Sequence, residues 1–128
     1  VNILLELKPV VKKFYEVNEE ELPKEQAQKS FIRWLLADDN YNFFMRLFRI
    51  ESGGHINSHF HPWEHEIFIL EGKGKIRIGS KVYDVNEGYF IYIPPNAEHE
   101  YWAESDLKFI CIIPSKPTAE ELDEPLPY

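Results

Sequence analysis

Residues 59–72 read His59-Phe60-His61-Pro62-Trp63-Glu64-His65-Glu66-Ile67-Phe68-Ile69-Leu70-Glu71-Gly72. His59 and His61 are separated by one residue, so on an extended chain both side chains leave the same face and can grip one ion together. Pro62, Trp63 and Glu64 then supply a corner. His65 opens an apolar run in which Ile67 and Ile69 share its face, so a third imidazole can come from the neighbouring strand. Further on, after Gly88, an aromatic run and a Pro94-Pro95-Asn96 turn that reverses the chain toward the interior, stands His99, a natural fourth ligand. A single histidine is ordinarily a surface or core residue. Four of them at these spacings are better explained by a shared divalent metal ion.

Working outward, the chain from residue 31 is a series of short apolar runs: 31–36, 43–50, 65–71, 75–78, 81–85, 89–93, 98–102 and 107–113. Runs of this length are strands more often than helices. Their separators carry turn chemistry: Asp38-Asp39-Asn40, Ser52-Gly53-Gly54, Gly72-Lys73-Gly74, Gly79-Ser80, Asn86-Glu87-Gly88 and Pro94-Pro95-Asn96. Many strands at short, even spacing predict a sandwich or a closed barrel. The division expected is a lead-in segment over 1–30, a barrel over 31–114 and a tail over 115–128. In the lead-in, Val10 to Val17 reads as a strand, and 18–28, with Pro23 inside it, as loop with one helical turn. In the tail, Thr118 caps one short helix that Pro125 and Pro127 stop.

The 128 residues suit one domain, and 44% hydrophobic with 15% aromatic content is enough for a core. A net charge of −8 without a Lys/Arg cluster argues against a nucleic-acid partner. No apolar run approaches the roughly 20 residues of a membrane span, and the acidic start is too short for a signal peptide. A soluble, cytoplasmic protein is expected. Cys111 is the single cysteine, so neither an intrachain disulfide nor a multi-thiolate zinc site can form. Any metal must be held by histidine and carboxylate.

These residues resemble the two motifs of the cupins. Gly53, five residues, His59-Phe60-His61, three residues, His65, six residues and Gly72 reproduce the spacing of the first; Gly88, Pro94-Pro95-Asn96 and His99 follow the second. Asn96 stands at the family's turn glycine, a tolerable change because Asn accepts a left-handed backbone, and Ala103 stands at its final asparagine. At the family's glutamate position stands His65, with Glu66 one residue later; either can serve, but His65 satisfies the distances to both His61 and Gly72. The resemblance implies an all-β fold, a small double-stranded β-helix or jelly-roll barrel. The wording of 44–72 is similar to small single-domain cupins of thermophilic microbes that bind manganese through four histidines. That likeness implies Mn(II) on His59, His61, His65 and His99, with Fe(II) as second choice. On ligand softness alone imidazole suits Fe, Ni, Cu or Zn better than Mn, so manganese rests on the resemblance.

Four neutral imidazoles would leave the ion its full double charge and favour anionic partners. In adjacent octahedral positions they would leave two neighbouring sites, a geometry that permits dioxygenase chemistry on a small organic substrate. A Lewis-acid isomerase or lyase and a non-catalytic metal- or ligand-binding module are the alternatives. Cys111 reads as a small buried hydrophobe or as a redox group near the metal, and Arg46 as paired with a glutamate or holding an anionic substrate. His55 and Asn57 share parity with His59 and could line the barrel mouth, while Trp63 and Trp102 could wall a pocket or simply pack. Apolar residues on both faces of 65–70 point to a covered outer sheet, as in a homodimer.

Overall fold

Along the stretch from Leu107 to Ile113 every second residue is buried: Leu107, Phe109, Cys111 and Ile113 point inward, with Lys108, Ile110 and Ile112 between them. This period of two is that of a strand packed on one face. It recurs through the computed structural model, which describes residues 7–115. The described strands are β1 (Glu20–Glu21), β2 (Ala27–Leu36), β3 (Phe43–His59), β4 (His65–Glu71), β5 (Lys73–Ile78), β6 (Lys81–Asn86), β7 (Phe90–Ile93), β8 (His99–Ala103) and β9 (Leu107–Pro114). They form one antiparallel sheet in the order β6-β5-β8-β3-β9-β4-β7, with β2 on the other edge of β3 and β1 on β2. The sheet curls on itself, the all-β jelly-roll architecture expected.

The longest strand organises the barrel. The first half of β3 pairs with β9, from Phe43↔Pro114 to Ile50↔Leu107, and its second half with β8, from His55↔Trp102 to His59↔His99. Ser52-Gly53-Gly54, expected as a turn, is instead the bend inside this one strand where it passes from one partner to the other. Gly53 has φ +83°, and a methyl on Gly54 would meet Ile50 Cγ2 at 2.6 Å and the main-chain oxygens of Gln28 and Glu51 at 2.8 Å. Only glycine permits both the conformation and the approach.

Inside the barrel Phe48 stacks on Phe109 (centroids 5.0 Å apart) and Phe109 on Tyr101 (5.3 Å), among the fully buried Ile50, Ile56 and Ile93. Outside, Phe68, Phe90 and Tyr92 remain exposed on β4 and β7. The lead-in differs from expectation. Val10 to Val17 forms no strand; Phe14–Glu16 is a single 3-10 turn. The segment is tied down at Glu19, whose carboxylate accepts from Arg49 at 2.7 and 3.0 Å. Pro23 opens a turn in which its carbonyl accepts from Gln26 and Ala27, and β2 starts at Ala27, four residues before the apolar run suggested. The expected tail helix lies outside the described residues. Among the described residues no helix is long and apolar enough to cross a membrane.

Candidate metal centre

Three strand ends and one corner bring the four histidines to one end of the barrel. His59 is the last residue of β3, His65 the first of β4 and His99 the first of β8, with His59 and His99 directly opposite in the β3–β8 ladder. His61 stands in the corner between β3 and β4. That corner is fastened to the β7–β8 turn by a hydrogen bond from the Asn96 N–H to the His61 carbonyl, 2.6 Å. Asn96 adopts φ 64°, the left-handed conformation its place in the turn requires.

Candidate ligand atoms of His59, His61 and His99 all lie within 4.8 Å of one another. Their ring centroids are 4.3 Å apart for His59–His99, 4.9 Å for His59–His61 and 5.9 Å for His61–His99. His65 is outside that group but adjoins it, its ring 4.9 Å from His99 and 5.4 Å from His61. The two candidates on β4 point in opposite directions: His65 is buried and faces the other imidazoles, whereas Glu66 is exposed on the outer face.

Two backbone carbonyls set the tautomers. Nδ1 of His59 lies 2.7 Å from the Asn57 oxygen and Nδ1 of His99 lies 2.9 Å from the Ala97 oxygen. A carbonyl only accepts, so each Nδ1 carries the proton and each Nε2 presents a lone pair inward. Nε2 of His99 and Nδ1 of His65 are buried without a hydrogen-bond partner. Burial pushes His99 down to about 4, with the His59 imidazole adding to the effect and the Ala97 carbonyl opposing it. His65 is driven down to about 2, first by burial and then by the positive charge of Arg46. His59 is lowered by burial as well. The rings of His59, His65 and His99 are therefore neutral at physiological pH, the form that ligates metal. The buried lone pair of His99 Nε2 and the locked tautomers of His59 and His99 fit a divalent cation.

The surroundings correct several expectations. A register shift between Ile56 and His59 reverses the parity of β3, so His55 and Asn57 do not share the face of His59. His55 stacks on Trp102 (5.4 Å) and meets Glu100 at 2.5 Å, while Asn57 bonds the Glu25 carbonyl. Trp63 is core, its indole stacked on the His61 ring at 4.4 Å and 4°. Arg46 has no carboxylate partner among the described residues. It is fully buried, and its Nη2 donates to the Cys111 thiol at 3.0 Å. Sequence reasoning overlooked Tyr101, whose ring lies 5.7 Å from that of His99 and 6.4 Å from that of His59. The parity His99, Tyr101, Ala103 along β8 carried that signal.

Comparison with known proteins agrees with this architecture. The cupin domain model matches residues 46–113, and the chain belongs to the cupin family. An L-ectoine synthase of Saccharophagus degradans is 24% identical over 95 residues, covering 73% of this chain and 72% of that protein. The polyketide cyclase RemF of Streptomyces resistomycificus superposes with a TM-score of 0.72 at 26% identity, over 87% of this chain and 81% of RemF. A cupin-2 domain protein of Rhodospirillum rubrum shares the fold with a TM-score of 0.74 at 20% identity, over 97% and 83% of the two chains.

Proposed function

We propose that His59, His61, His65 and His99 together hold one divalent ion, manganese first and iron second, in an oxidoreductase of dioxygenase type acting on a small organic molecule. The observation that carries the reading is the buried imidazole cluster with backbone-locked tautomers. A bound ion would supply Lewis acidity on neutral ligands, retaining its double charge for an anionic or oxygen ligand. The chain's own part is to keep the His59 and His99 rings deprotonated at Nε2, to fix the His61 plane against Trp63, and to exclude water by burying His61, His65 and His99.

A redox-neutral Lewis-acid reaction is the second reading, favoured by the likeness to a polyketide cyclase and an L-ectoine synthase. Metal analysis of untagged protein with electron paramagnetic resonance tests the centre: one equivalent of manganese or iron with nitrogen couplings is expected, and no metal after repletion would refute it. Turnover that survives strict anaerobiosis would select the redox-neutral reading. The exposed Phe68, Phe90 and Tyr92 further support a homodimer joined across the outer sheet. Sedimentation velocity checks it, since a monomer at micromolar concentration would remove the dimer.

A further inference from the structure

One buried charge is left unexplained by the metal centre. Arg46 is 0% exposed, and no described carboxylate approaches it. It faces the barrel interior between its ladder partners Trp34 on β2 and Cys111 on β9. Its guanidinium lies over the rings of Trp34 (5.3 Å) and Phe48 (5.1 Å), and one nitrogen, Nη2, donates to Cys111 Sγ at 3.0 Å. Nε and Nη1 are buried with no acceptor among the described residues. A thiol is a weak acceptor, and burial raises the Cys111 pKa against the pull of Arg46, which keeps it a thiol and no counter-ion. Arginine cannot shed its proton, so the interior holds a permanent cation with donors to spare. Such a group is costly to bury alone and is ordinarily matched by an anion.

The cation lies on the same inward face of the sheet as the imidazoles. On the inward face of β4, Ile67 is the ladder partner of Cys111 and His65 lies two residues before it. The charge of Arg46 is felt at His59, His65 and His99. A carboxylate is a planar anion whose two oxygens match an arginine fork, and the aromatic rings of Trp34 and Phe48 flank the guanidinium.

We infer that Arg46 forms an anion subsite beside the histidines and holds the carboxylate of a small carboxylic-acid substrate, with the end of the fork at Nη1 as its principal donor. This rests on the reading of the barrel interior as the substrate chamber. It adds a substrate class and a specificity residue that the metal ligands do not supply.

Calorimetric titration of the full-length protein with pyruvate and with its neutral amide tests the subsite, in metal-free and manganese-loaded forms, with metal content measured in each. Pyruvate is expected to bind both forms, the amide at least tenfold more weakly, and Arg46→Gln to weaken pyruvate at least tenfold in both while metal content is unchanged. Equal binding of acid and amide, or undiminished pyruvate binding by Arg46→Gln, would overturn the inference and leave the metal centre standing. Arg46-dependent pyruvate binding in a protein that takes up no metal would do the reverse. Should Arg46→Gln fail to fold, the Arg46 Nε–H resonance of the zinc-loaded wild type gives the answer. A saturable shift with pyruvate supports the subsite, and an unmoved resonance refutes it.

Discussion

The two halves of β3 make different uses of the same strand. From Phe43 to Ile50 the pairing is regular: Phe44, Arg46, Phe48 and Ile50 are buried on the inner face, Leu47 is buried between them, and each residue meets a partner on β9. From His55 to His59 the ladder with β8 slips, and the slip turns His59 toward His99. The first half is held by packing and fixes the barrel. The second gives up regular pairing to aim an imidazole, in keeping with the frequency of bulges next to functional sites. The bend at Gly53-Gly54 lets one strand do both.

That division can be broken at its chemical end first. His61→Ala, in the corner that continues the second half, should weaken divalent-metal binding by about 100-fold or more while far-UV circular dichroism stays that of the barrel. Loss of the fold along with the metal would show that the two halves are not separable. Next comes the joint. Gly54→Ala forces a methyl into contacts of 2.6–2.8 Å and should cost about 2 kcal/mol in urea unfolding, the size of an overpacking defect. An unchanged midpoint would mean that the bend tolerates a side chain.

Acid sharpens the comparison more gently. The folded chain keeps His99 neutral down to about 4, whereas an unfolded histidine takes up its proton near 6.5. Its folded-state pKa lies below the unfolded one, so the unfolded state binds more protons and the metal-free protein should lose stability as pH falls from 6.5 toward 4. Between pH 6.5 and 5, before carboxylates titrate, the loss should approach about 1.4 kcal/mol per pH unit for each such imidazole. His99→Gln should flatten the urea midpoint over that window, and an equal slope in both proteins would remove His99 from the linkage. The smallest effect belongs to Glu66→Ala. Its side chain faces out, so metal stoichiometry and affinity should not change. A loss equal to that of His61→Ala would end the four-histidine assignment.

The fold was largely legible in the residues because period-two burial writes itself into sequence. Residues 65–71 and 107–113 match β4 and β9 almost to the residue. The approach of the histidines was legible for a related reason, since strand spacing and turn chemistry bring them to one barrel end. What escaped depends on departures from ideal geometry. The parity argument for His55 and Asn57 failed at a bulge that no residue type announces. Ser52-Gly53-Gly54 looked like a hairpin turn because the same glycines serve a sharp bend. Arg46 looked pairable with a glutamate, yet its neighbours are Trp34 and Cys111, a placement fixed by strand order.

The tautomers of His59 and His99 are set by carbonyl oxygens of residues 57 and 97, not by side chains. No substitution at those two positions can delete the acceptor, because every amino acid brings the same oxygen. The aim of these two imidazoles is thus a property of the chain path. An engineer can redraw the pocket walls, trading aromatic for aliphatic or small for large, and still find both lone pairs pointing at the same spot as long as the two loops keep their course.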